Sequence, residues 1–100
     1  MTNVYTNLSF EWDLGNWPKC GKHGLSKEVI EYALNAVQLV REVQRRADSE
    51  RRFQAVCLSP DGAYVFIVFV VRNRRIRPVS ARPMHMKEVQ KYEKDSQRKG

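Results

Sequence analysis

Nine consecutive apolar residues, Ala63 to Val71, constrain this chain more than any other segment. The run is rich in Val, Phe, Ile and Tyr, whose side chains suit a pleated surface better than a helix. It is apolar at every position rather than at alternate ones, so both of its faces must be covered and the strand must be central in a sheet. A helical membrane span needs about twenty apolar residues, so the run cannot be one. Ser59-Pro60-Asp61-Gly62 precedes it with strong turn chemistry: Pro sets φ, Asp bonds locally and Gly accepts a positive φ. Before that turn, Phe53, Ala55 and Cys57 alternate with Gln54, Val56 and Leu58 as in a strand. After the run, Arg72-Asn73-Arg74 turns the chain into Arg75–Ala81, where Arg75 and Arg77 share one face and Ile76 takes the other.

The first half is less regular. Phe10-Glu11-Trp12 reads as a short first strand. Asp13 suits the N-cap of a short helix that holds Pro18 in its first turn and stops near Lys22-His23-Gly24. Ser26 suits a second N-cap, and Ile30, Ala33, Leu34 and Val37 then recur at helical spacing. That helix either ends near Asn35, with Gln38–Val43 as a strand, or runs on toward Arg46; periodicity leaves both open. Pro83 suits the first position of a C-terminal helix carrying Met84, Val89 and Tyr92, with residues 95–100 frayed. The order β-α-α-(β)-β-β-β-α predicts an α+β fold in one domain over residues 1–100: a small antiparallel β-sheet with helices packed on one face.

Charge is unevenly spread. Residues 1–50 hold 6 Lys/Arg and 7 Asp/Glu, a net of −1; residues 51–100 hold 12 and 4, a net of +8, giving +7 for the chain. Arg72, Arg74, Arg75, Arg77 and Arg82 follow one another with no acid among them. Such a field attracts polyanions, nucleic acid above all; the alternative is a set of charged gatekeepers beside an aggregation-prone strand. Two cysteines are too few for a disulfide framework, so Cys20 and Cys57 are expected reduced. The polar Met1–Asp13 stretch has no apolar secretion core, which predicts a soluble, cytoplasmic protein with no membrane partner.

Taken together, these residues resemble a known family. Phe10-Glu11-Trp12-Asp13, Asn16, Lys19 and Lys22-His23-Gly24 resemble the N-terminal signature of the BrnT toxins. Ile76-Arg77-Pro78-Val79-Ser80-Ala81-Arg82, Met84, Lys87-Glu88-Val89 and Tyr92-Glu93 resemble its C-terminal signature, and Glu50 and Arg52 fit its middle block. The resemblance covers about residues 10–93. It implies a RelE-like toxin fold and a metal-free endoribonuclease, without cofactor, that inhibits translation. It also implies a cognate antitoxin with a ribbon-helix-helix DNA-binding domain, and a dimer formed through the antitoxin complex. Polar positions of the family are occupied here by Val43, Arg46, Ala47, Cys57, Ala63 and Val70. A second reading is therefore a decayed module that binds RNA or antitoxin without cutting.

Metal-free RNA cleavage needs a base for the 2′-OH, an acid for the leaving 5′-oxygen, and cations for the charge that builds on the phosphate. His23 is the acid/base candidate because imidazole titrates near neutrality. Arg52, Arg77 and Arg82 are the charge stabilisers, since guanidinium grips phosphate with parallel donors. Tyr92 is a candidate to stack on a base or donate from its hydroxyl. Lys19, Lys22, Arg72, Arg74 and Arg75 are candidate RNA contacts. Each also has a plain structural use: a helix stop for His23, solvated faces for the lysines, sheet packing for Tyr92. Cys20 and His23 offer only half of a zinc spacing, so no metal site is expected.

Overall fold

The computed structural model describes residues 8–43 and 50–99. Its elements are α1 (Trp17–Gly21), α2 (Lys27–Leu34), β1 (Val37–Val43), β2 (Arg52–Leu58), β3 (Tyr64–Arg72), β4 (Arg75–Pro83) and α3 (Met86–Lys99). The strands form one antiparallel sheet in the order β1-β2-β3-β4, so the chain meanders and every strand pairs with its sequence neighbour. The apolar run is β3, inside the sheet as its composition demands. Within the first-half ambiguity, the strand wins: Ser26 Oγ accepts from Val29 N, α2 stops at Leu34, and β1 follows.

The core lies on the sheet face that α1 and α2 cover. Ile30, Ala33 and Leu34 from α2 and Cys20 from α1 pack on Ala55, Cys57, Val65, Ile67 and Ala81. These positions fall on one side of the pleat, which is why alternation was visible in β2. Full burial of a side chain such as Ile67 contributes roughly 2–3 kcal/mol. Both cysteines are free and buried, and burial pushes the Cys57 thiol up to about 12 and Cys20 to about 11. Cys20 is thus enclosed while His23 is exposed.

Three details differ from the sequence expectations. Pro83 closes β4 opposite Val65, and Met84 N donates to Tyr64 O, so the sheet ladder holds the chain extended and α3 begins only at Met86. Its entry is fixed by Glu88, which accepts from His85 N as in a capping box. Secondly, the helices do not all share one face. Tyr92 of α3 packs edge-on against Tyr64 at 5.3 Å and Glu88 holds Arg82, both on the face away from α1 and α2. Thirdly, Asp13 does not cap α1. Asn16 occupies that place without a side-chain capping bond, and the Asp13 carboxylate accepts from Gly15 N and from Arg77 instead. The α3 helix runs to Lys99, through residues where fraying is expected, on a sequence of good helix formers. Arg46 and Ala47 lie outside the described residues.

The expected first strand is reduced to a single parallel bridge from Phe10 to Ile76. Side chains also hold this segment. Trp12 Nε1 donates to Glu31 of α2 at 2.7 Å, and its ring meets Trp17 edge-on beneath the Lys27 ammonium. A β-bulge in β4 opposite Val68/Phe69 leaves Val79 unmatched. Arg77 and Arg82, five residues apart, would face opposite sides of a regular strand; the bulge restores them to one face. No helix among the described residues is long and apolar enough to cross a membrane.

Candidate functional site

Val43, Arg52, Val70 and Arg77 stand opposite one another across all four strands. The row crosses the end of the sheet face that α1 and α2 leave open. Around Arg52, Val70 and Arg77 is a cleft of about 180 Å³, closed by Lys19 of α1, Glu50, Arg72 and the Gly15-Asn16 turn. Four of the residues singled out from the sequence, Lys19, Arg52, Arg72 and Arg77, therefore meet here from four different elements.

Their electrostatic states differ. Arg77 is 12% exposed and gives both terminal nitrogens to Asp13, at 2.8 and 2.9 Å, with a third bond to Glu11 at 3.0 Å. The Asp13 carboxylate, held by this guanidinium and by Gly15 N, is lowered to about 2, while the Arg77 pKa is raised by the Asp13 bond above all. Arg72 pairs bidentately with Glu50, whose carboxylate is lowered by that bond. Arg52 and Lys19 make no ion pair among the described residues, and Arg52 Nε is buried with no hydrogen-bond partner there. Leaving a buried charged donor unpaired is costly, so a cleft that does so is suited to an anion that supplies the missing acceptor.

The turn that forms one wall of the cleft is tightly specified. Asn16 is 3% exposed; its Nδ2 donates to Glu11 O and Pro78 O, and its Oδ1 accepts from Asp13 N. One amide thereby ties the N-terminal segment to β4. A Cβ on Gly15 would lie 2.8 Å from Arg77 Nη2, so a side chain there would displace the tip of that guanidinium.

The remaining candidates lie elsewhere. His23 is exposed in the turn after α1 and does not line the cleft, but it follows Lys19 by four residues on a near-helical path. That spacing puts the two on one side, with Cβ atoms about 6 Å apart. Lys22 is exposed beside it. Arg74 sits at the β3–β4 hairpin tip with φ 64°, next to Asn73 at 51°, the paired left-handed conformation of a tight two-residue turn. Arg75 donates to Phe10 O. Arg82 and Tyr92 are at the opposite end of the open face; Arg82 pairs with Glu88 at 2.7 and 2.8 Å and covers the Phe66 ring at 5.0 Å. Along β4, the Arg77 and Arg82 backbones are separated by roughly 15 Å, so the two do not meet at one phosphate.

Sequence reasoning missed three acids. Glu11 and Asp13 neutralise Arg77 and Glu50 neutralises Arg72, and the acidic excess of the first half was the available signal; Glu88, a candidate from the sequence to orient an arginine, does so for Arg82. Sequence reasoning also missed Asn16 as the clamp of the site.

A sequence model of the family described as "Ribonuclease toxin, BrnT, of type II toxin-antitoxin system" matches residues 12–88, from Trp12 through the Glu88 partner of Arg82. No curated protein matches the chain.

Proposed function

The chain belongs to the BrnT family of type II toxin–antitoxin ribonucleases, and on that premise we propose that it cuts RNA in the Lys19/Arg52/Arg72/Arg77 cleft without a metal ion. The observation that carries this is the convergence of Arg52 and Lys19, unpaired among the described residues, on a cleft that also holds a carboxylate, Glu50. Arg52 and Lys19 bind the scissile phosphate and take up the charge of its five-coordinate state. Glu50, the carboxylate of the cleft, accepts the proton of the 2′-OH as that oxygen attacks phosphorus, and in doing so gives up its bonds to Arg72. His23, one turn beyond Lys19, protonates the departing 5′-oxygen, leaving a 2′,3′-cyclic phosphate. Arg77 shapes the cleft, its own donors being occupied by Asp13 and Glu11. Lys22, Arg74 and Arg75 contact phosphates outside the cleft, and Arg82 and Tyr92 serve binding rather than bond cleavage.

In the cell this activity halts translation, and a ribbon-helix-helix antitoxin neutralises it and brings toxin copies together as a dimer. A second reading, RNA or antitoxin binding without cleavage, is favoured by Val43 and Val70, apolar residues in the cleft row where the family resemblance implies polar groups. Induced expression without antitoxin separates the two. Wild type should arrest growth and degrade RNA, and Arg52→Ala should relieve both, with cleavage of purified RNA reduced about 100-fold or more, as for loss of one charge-stabilising donor. His23→Ala should slow cleavage with little change in RNA affinity. A soluble wild type that is harmless and leaves purified RNA intact would establish the non-cutting module.

A further inference from the structure

The open sheet face continues beyond the cleft. Next to the Arg52 row stands a second row, Arg41, Gln54, Val68 and Ser80, and next to that a third, Leu39, Val56, Phe66 and Arg82. Successive rows on one face are about 7 Å apart, so charge, hydrogen-bonding capacity and aromatic surface follow one another in order. At the β1–β2 side a hollow of about 160 Å³ is lined by Leu39, Arg41, Gln54, Val56 and Phe66. Arg41 Nε donates to Gln54 Oε1 at 3.0 Å, which orients both groups. The Gln54 amide nitrogen and the Arg41 terminal nitrogens make no other hydrogen bond among the described residues.

We propose that this hollow is a nucleobase subsite for single-stranded RNA, taking the base of a nucleotide adjoining the phosphate held in the cleft; this rests on the ribonuclease reading above. Phe66, Val56 and Leu39 offer an apolar wall on which a base stacks, and the Arg82 guanidinium lies 5.0 Å from the centre of the Phe66 ring. The free nitrogens, Gln54 Nε2 and the terminal groups of Arg41, are donors, and Gln54 Oε1 is already turned to Arg41 Nε. This set favours a base edge made of two acceptors, guanine O6 and N7, over adenine, whose edge carries a donor. RNA is the occupant because the Arg41–Gln54 row of the hollow adjoins the Arg52 row of the cationic cleft on the same face, and Arg41 lines it on a chain of net charge +7.

The test uses the purified full chain and a short uridine strand, 2′-O-methylated against cleavage, with one central guanosine, adenosine or abasic residue. Binding followed by fluorescence anisotropy should rank guanosine first, about tenfold tighter than the abasic strand, the scale of one stacked base. Arg41→Ala with Gln54→Ala should erase the preference of guanosine over adenosine. Phe66→Leu, which keeps apolar volume, should bring all three strands to the abasic affinity while circular dichroism stays unchanged. Equal binding of the three strands by wild type, or a ranking that survives in the folded variants, would overturn the subsite. So would variants that keep wild-type RNA binding yet fail to bind the antitoxin, which would assign the hollow to a protein interface. Arg52→Ala should weaken all three strands in parallel; if it weakens none while Phe66→Leu still removes the ranking, the subsite stands and the cleft assignment falls.

Discussion

The two ends of β4 carry the same residue in the same kind of bond and use it differently. Arg77 reaches carboxylates more than sixty residues away, on Asp13 and Glu11, and is nearly enclosed by them. Arg82 takes its carboxylate from Glu88, six residues on, and remains 28% exposed. The first bond closes a tertiary loop: it holds the segment that leads into α1 and so places Lys19 on the cleft. The second orders only the entry into α3, which the Glu88–His85 N bond already favours. A bidentate arginine pair therefore does not report one function; the sequence distance it spans and the burial of its members decide what it holds.

Removing each guanidinium should expose that difference. Arg77→Ala is expected to cost about 2 kcal/mol in urea unfolding, between the values for exposed and buried pairs, and to change the fluorescence of Trp12 and Trp17. Equal losses at Arg77 and Arg82 would break the distinction. Arg82→Ala should cost below about 1 kcal/mol, and a double-mutant cycle with Glu88→Ala should give a coupling of the same small size. Acid provides the gentlest probe. Asp13 is lowered from 3.8 to about 2, so its contribution is complete above its unfolded-state value and is lost as pH falls through about 2. Glu88, lowered from 4.5 to about 2, follows the same sign. Wild type should thus lose stability from about pH 4 down to about pH 2, and Arg77→Ala should show a visibly shallower decline over that window. An unchanged slope would mean that the Arg77–Asp13 pair does not form in solution.

The contrast also explains what could be read beforehand. β2, β3 and β4 were legible because period-two alternation, a proline-glycine turn and an apolar run are local signals that tertiary packing then respected. The start of α3 was misplaced because Pro83 is equally suited to a helix start and to an edge of the ladder, and pairing with Val65 decided it. Asp13 was misassigned for a similar reason: a cap is a local use of a carboxylate, and Arg77 offered a stronger distant one. Arg52, Arg72, Arg77 and Lys19 were identifiable as cations. Which of them are neutralised depended on Glu50 and Asp13, and no spacing rule brings residues so far apart together. Arg52 and Lys19 emerged as the unopposed pair of the cleft, among the described residues, only from the folded arrangement.

The bulge at Val79 gives the sheet a dependence on counting. Arg82 lies five positions after Arg77, an odd step that a regular ladder cannot place on one side, and the single unmatched residue corrects it. Val79 is thus the one residue here that the ladder does not need: without it, Pro78 and Ser80 would pair in succession with Phe69 and Val68, and the two arginines, now four positions apart, would still share a side. What its side chain supplies is a piece of the cleft wall beside Val70 and Arg77. In a randomised library, the C-terminal motif should accept a word one letter shorter at position 79, with the sheet kept and the cleft altered, and reject one that is a letter longer.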